Sequence, residues 1–130
     1  MILLDTSALY ALADTADPRH REALGVHDAL AGAGEACLIH SYVIAETAAL
    51  LQSRAGYEAA ACFLRDAGTY ETVWVNEETH REALALFTRL KSRTISLVDC
   101  VSFAVMKRRG ITTAFAFDRH FVQQGFSLAR

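Results

Sequence analysis

Short apolar runs of strand length alternate along this chain with longer stretches of helical period, and that alternation restricts the fold more than any other feature. Such runs, each followed by a helical segment, point to crossover connections and hence to α/β architecture around a mainly parallel sheet of four or five strands. The strand candidates are Ile2–Leu4, Ala36–His40, Glu71–Val75 and Thr113–Phe117, with a short last one at Phe126–Ala129. Helices are expected over Ser7–Ala13, then from Asp17-Pro18, an N-cap followed by a first-turn proline, to about Ala31. Two more, Tyr42–Ser53 and Tyr57–Ala67, are parted by Gly56. Asn76-Glu77-Glu78 starts another that ends near Arg89 and Lys91, and Ser96-Leu97-Val98-Asp99 opens a largely apolar one that ends at Lys107-Arg108-Arg109-Gly110. There is no internal repeat. With 130 residues, 52% of them hydrophobic and one proline, the chain is expected to form a single domain over 1–130 with a substantial core. No apolar run reaches membrane length, and Met1 leads into a core strand without a basic leader or cleavage site, so a cytoplasmic location is expected. Cys37, Cys62 and Cys100 lack CxxC spacing and sit among apolar neighbours, which reads as buried thiols without chemistry.

Four carboxylates stand out against this pattern. Asp5 follows Ile2-Leu3-Leu4, Glu46 lies within Tyr42–Leu51, Asp99 interrupts the apolar run from Ile95 to Met106, and Asp118 closes Ala114-Phe115-Ala116-Phe117. A charge in such surroundings is costly unless it is paired or bound to metal. In an open α/β sheet, ligands bind where the strands end and the next helices begin. Asp5 and Asp118 directly follow strands, while Glu46 and Asp99 lie in the first two turns of helices expected to start at that edge. For Asp99 the requirement is that Lys91–Ile95 bring the chain back, because a helix starting at Asn76 would run away from the edge.

Each acid also has a purely structural reading. Asp5 could end a strand, with Thr6 or Ser7 capping the next helix; Asp99 fits a Ser-x-x-Asp capping box with Ser96; Asp118 could cap the turn through Phe121. Glu46 resists such a reading best, since its neighbours at i−4, i−3, i+3 and i+4 are Tyr42, Val43, Ala49 and Leu50. The net charge of −2 does not announce a nucleic-acid binder, although leaving the four acids aside turns the balance to +2.

In sequence, Leu4-Asp5-Thr6-Ser7-Ala8-Leu9, the Glu46 helix, Ser96-Leu97-Val98-Asp99 and Ala116-Phe117-Asp118-Arg119-His120-Phe121 resemble the four acidic motifs of the PIN-domain nucleases. Spacing and length are most similar to the VapC-type toxins of toxin–antitoxin modules. The resemblance covers essentially the whole chain. It implies a PIN-like three-layer α/β/α sandwich, divalent-metal-dependent cleavage of RNA, inhibition by a cognate antitoxin of VapB type, and a homodimer. Ala59-Ala60-Ala61-Cys62 and the helix near Tyr42–Leu51 offer surface for the dimer contacts.

Phosphodiester hydrolysis needs an activated water and stabilised charge on phosphate and leaving oxygen, which Mg²⁺ or Mn²⁺ held by carboxylates supplies. Asp5 and Asp99 are assigned as direct ligands, with Glu46 and Asp118 acting directly or through water, and Thr6 or Ser7 as donors that orient Asp5. Arg19-His20-Arg21 and Arg119-His120 are candidates to face a substrate, with Arg119, beside Asp118, the favoured contact. The five histidines form no ligand pair, and most are expected to be scattered surface residues. Within the same family the alternative is a housekeeping or orphan PIN nuclease without antitoxin. From other classes, a haloacid-dehalogenase phosphatase would need Asp where Ser7 stands, and a receiver-type phosphoacceptor module would need Asp after the third strand, where Val75-Asn76 stand.

Overall fold

A computed structural model describes residues 1–130. Five strands, β1 (Ile2–Leu4), β2 (Cys37–His40), β3 (Glu71–Val73), β4 (Thr113–Phe115) and β5 (Ser127–Leu128), form an all-parallel sheet in the order β3-β2-β1-β4-β5. The helices are α1 (Thr6–Ala13), α2 (His20–Gly32), α3 (Ser41–Ala55), α4 (Tyr57–Ala67), α5 (Glu77–Leu90), α6 (Leu97–Arg109) and α7 (His120–Gln123). Successive strand residues face opposite ways. Ile2, Leu4, Ile39 and Phe115 therefore join α1 to α4 in one core, whereas Leu3, Leu38 and Ala114 join α5, α6 and Phe121 in the other. This is the expected three-layer sandwich.

From β1 the chain steps to β2 and β3 across the first layer, then crosses by α5 and α6 over the second layer to β4, on the other side of β1. The carboxyl ends of β1 and β4 thus form the switch point at which open α/β sheets bind ligands. Arg108, in the last turn of α6, pairs with Glu78 and Glu82 in the first turns of α5, so the two helices run antiparallel. That corrects the expected path: α5 itself returns the chain to the edge, and the segment 91–96 only turns it.

Several boundaries differ from those expected. β4 ends at Phe115, opposite Leu4, because β1 and β5 offer no further partner; Asp118 therefore sits three positions beyond the strand. β3 likewise stops at Val73, and the Val75 N–H donates to Ser41 Oγ (2.9 Å) instead of to a strand. Asp17 does not cap α2. Its carboxylate takes the Arg19 N–H (2.8 Å) and its carbonyl the His20 N–H (3.0 Å), a local turn that delays the helix to His20. His20 Nδ1 then lies 2.7 Å from the Ala11 carbonyl, tying that start to α1. Of the three cysteines only Cys100 is buried; Cys37 is half-buried, and Cys62 falls beside the inward face of α4 made by Ala60, Phe63 and Ala67 and is exposed.

His40 is not a surface histidine. It is fully buried, its Nδ1 accepts the N–H groups of Tyr42 (3.2 Å) and Val43 (3.3 Å) at the start of α3, and its Nε2 lies 2.8 Å from Ser102 Oγ in α6. With Nδ1 accepting, the ring proton belongs on Nε2, which donates to Ser102. Burial depresses the imidazole from 6.5 to about 3. The ring is therefore neutral in the fold and protonated in the unfolded chain at mildly acid pH, so its contribution is present above about 6.5 and is lost as pH falls towards 3. The full loss is on the order of 5 kcal/mol. His40→Asn, which keeps a capping acceptor, should lower stability at neutral pH yet flatten this acid limb. Urea unfolding at pH 7, 5.5 and 4.5 checks it; a limb equally steep in both proteins would assign the acid loss to other groups.

Candidate active site

Asp5, the first residue after β1, is the N-cap of α1, and its Oδ2 accepts from the Ser7 N–H (3.1 Å) and the Ser7 hydroxyl (2.6 Å). The same Ser7 Oγ accepts the Phe117 N–H (3.0 Å), so one hydroxyl fastens Asp5 to the segment that carries Asp118. Thr6 behaves otherwise: its Oγ1 is buried without a partner, and of the two expected orienting hydroxyls only that of Ser7 reaches Asp5. Asp5 is 4% exposed. Burial pushes its carboxyl up to about 6, opposed by the Ser7 hydrogen bonds and reinforced by the charge of Asp99.

Asp99 stands in the first turn of α6 in a complete capping box: its Oδ2 accepts the Ser96 N–H (2.9 Å), and its own N–H donates to Ser96 Oγ (3.1 Å). Its carboxyl is raised by burial; the Ser96 N–H opposes this, Asp118 adds to it, and His120 opposes it. Asp118 Oδ1 accepts the His120 N–H (2.8 Å). Each of the three aspartates therefore commits one oxygen to a neighbouring N–H and leaves the other without a hydrogen bond. One ligand atom each from Asp99, Asp118 and His120 lies within 4.8 Å of the others. His120 Nδ1 is 2.9 Å from Asp118 Oδ1 and 3.4 Å from Asp99 Oδ2, yet it is buried without a hydrogen-bond partner.

Glu46 comes from the other layer. The fully buried stripe of α3 is Val43, Thr47 and Leu51, so Glu46 lies on its half-buried flank rather than on an enclosed apolar face, and Ala49 is exposed. It makes no hydrogen bond or ion pair with the other acids. Its i+4 and i+8 neighbours, Leu50 and Arg54, line a groove of about 520 Å³ with Thr6, Ser7, Asp118 and Arg119. Helical spacing sets Glu46 one turn before Leu50 on the same flank, although Glu46 itself does not line the groove. The largest depression, about 720 Å³, lies along the C-terminal half of α6, away from the helix start that carries Asp99. Arg119 is exposed on the rim beside Asp118. His120, which the sequence sets with Arg119 as a candidate to face a substrate, is instead brought by the structure to the carboxylates of Asp99 and Asp118.

A divalent cation suits this donor set. Half-desolvated carboxylate oxygens, oriented by their neighbours and held close together, are what a hard ion requires, and the orphaned His120 Nδ1 adds a nitrogen. Without an ion the same groups repel. Since the folded carboxyl of Asp5 is raised from 3.8 to about 6, metal-free protein should lose stability as pH rises through that window. Relative to Asp5→Asn, the loss should reach about 3 kcal/mol near neutrality, measured by denaturant unfolding in chelator. Asp99→Asn keeps an acceptor for the Ser96 N–H while dropping a charge beside Asp118, and should raise the metal-free Tm at neutral pH. Asp99→Ala, which breaks the capping box, should instead cost about 1 kcal/mol. A lowered Tm in both variants would mean that the cap outweighs the charge repulsion.

Known proteins share this architecture. The PIN domain family matches residues 2–126. The 23S rRNA-specific endonuclease VapC20 of Mycobacterium tuberculosis is 34% identical over 128 residues, 97% of this chain and 95% of the relative. Ribonuclease VapC26 of the same organism is 28% identical over 123 residues, 92% and 89% of the two chains. The crystal structure of the M. tuberculosis VapC20, a sarcin–ricin loop cleaving toxin, superposes with a TM-score of 0.85 at 32% identity over 97% of this chain and 96% of that one. Sequence match and backbone superposition run together over nearly the full length, and this chain belongs to the PIN-domain family.

Proposed function

We propose that this protein is a Mg²⁺- or Mn²⁺-dependent endoribonuclease and the toxin of a VapBC-type module, acting in the cytoplasm as a single PIN unit over residues 1–130. The observation that carries the reading is the convergence of Asp99, Asp118 and His120 at the switch point, with Asp5 buried and electrostatically coupled to Asp99. Asp5 and Asp99 offer direct carboxylate ligands, and Asp118 and Glu46 act directly or through water. A bound divalent ion would supply a more acidic water and charge stabilisation at the attacked phosphate. Ser7 orients Asp5, the Ser96 N–H orients Asp99, and the His120 N–H orients Asp118, so that the remaining oxygens are preset for ligation. Arg119 offers its guanidinium to the substrate from the rim.

The names of the relatives support RNA as the substrate, and 23S rRNA is the first RNA to assay. Asp5→Asn, Glu46→Gln, Asp99→Asn and Asp118→Asn should each reduce metal-dependent cleavage by orders of magnitude while the protein stays folded. Undiminished cleavage in chelator, or by the Asp99→Asn variant, would remove the assigned mechanism. A cognate VapB-type partner is part of the proposal; an orphan PIN nuclease is the alternative, and a small reading frame adjoining the gene decides between them. The receiver-type reading gains nothing, since Trp74, Val75 and Asn76 follow β3.

The proposal includes a homodimer. In the Ala59–Cys62 stretch, Ala60 faces the core, and the outward stripe is Tyr57, Ala61 and Leu64 at i, i+4 and i+7, with Tyr57 70% and Leu64 49% exposed. Light scattering at micromolar concentration should give twice the 14.3 kDa chain mass. Tyr57→Glu with Leu64→Glu should give monomer; a wild type monomeric throughout counts against this arrangement.

A further inference from the structure

Two arginines from distant parts of the chain enter the groove beside Asp118, and neither has an anionic partner. Arg19, just before α2, sets its guanidinium 4.8 Å from the centre of the Phe117 ring. Arg54, in the last turn of α3, lies 5.5 Å from the centre of the Tyr10 ring. Both line the groove with Ser7 and Asp118, and both are exposed. Three other arginines are held in ion pairs: Arg81 with Glu77, Arg108 with Glu78 and Glu82, and Arg109 with Glu71. What sets Arg19 and Arg54 apart is that each lies against an aromatic ring and lines the groove that holds Asp118.

The geometry suits one kind of ligand. A guanidinium resting on an aromatic face gives that ring its flat side and keeps its N–H donors pointing outward in the plane, where they can grip a phosphate by two bonds. The ring also limits the wandering of a long side chain, so less freedom is lost when the anion arrives. Phe117 is one residue before Asp118, and Arg54 lies on the same helix face as Glu46, so both braces are tied to the backbone that carries the acids.

We propose that Arg19 and Arg54 form an aromatic-braced clamp for two phosphates of the RNA strand flanking the bond to be cut, on the Asp118 side of the groove. The clamp rests on the endonuclease reading and adds to it the path of the strand. It works by binding, not by chemistry, and these are positioning residues. It also answers an electrostatic need: a polyanion approaching several aspartates requires compensating positive charge beside them.

The experiment compares wild type with Arg19→Ala, Arg54→Ala and the double variant on a short single-stranded oligoribonucleotide that the wild type cleaves. Each single variant should raise KM about tenfold with kcat within about threefold, and the plot of log kcat/KM against log salt should become shallower by about 0.7 per arginine. Phe117→Leu should raise KM less than Arg19→Ala and leave the salt slope unchanged, because it removes the brace and keeps the charge. Arg19→Lys should retain the slope and recover only part of KM. Both arginines are exposed and outside ion pairs, so melting curves should stay within a few degrees of wild type. Unchanged KM and slope in the double variant would overturn the clamp. So would an unchanged RNA response together with lost inhibition by an acidic partner peptide, which would make this a protein-docking surface. If wild type cleaves no RNA, the endonuclease reading fails separately. Fluorescence anisotropy of the labelled strand with Ca²⁺ then tests the clamp alone: weaker binding by the double variant supports it, and equal binding refutes it.

Discussion

A carboxylate has two oxygens, and this molecule uses them for different purposes. In Asp5, Asp99 and Asp118 one oxygen takes a backbone N–H at the start of a helix or turn, which fixes the plane of the group and terminates the local structure. The other oxygen is thereby aimed and left available. Helix capping and the proposed ion binding are consequently not rival explanations for these residues; the first would be the mechanical support of the second. The cost appears as raised carboxyl pKa values in Asp5 and Asp99, where burial outweighs the hydrogen bonds that would keep the groups ionised.

The sheet order makes this local device into a site. Because β1 lies between β2 and β4, the turns after β1 and β4 open side by side, and Ser7 bonds both of them. The antiparallel α5–α6 pair delivers the start of α6 to the same edge, and the Arg108 ion pairs lie at its far end, where they do not compete with the acids. His40 links the start of α3 to α6 through Ser102, three residues after Asp99. The two helices that contribute Glu46 and Asp99 are thus braced by a ring with no charge of its own, which avoids disturbing a pocket already crowded with negative groups.

What the sequence discloses depends on how local the deciding interaction is. The Asn76 cap and the Ser96–Asp99 box lie within four residues and are readable, as is the apolar alternation that defines three layers. Asp17 misleads because its carboxylate is consumed one turn early, a choice fixed by the contact of His20 with the Ala11 carbonyl. The end of β4 is unreadable from its own apolar run, since a strand stops where its neighbours stop. The fates of His40 and His120 depend on Ser102 and Asp99, far away in sequence for one and on another element for the other. The pairing of Arg19 with Phe117 lies beyond any periodicity.

The Ser7–Phe117 hydrogen bond spans 110 residues and joins the turn after the first strand to the last part of the chain. A chain emerging during synthesis carries Asp5 and Glu46 early, yet the central strand β1 lacks its β4 neighbour and Asp5 lacks the segment that pins it. The three upstream acids can be made while the pocket still lacks Asp118, His120 and the Phe117 N–H. That topology makes the site one of the last features to assemble: it is complete only when the chain is almost finished.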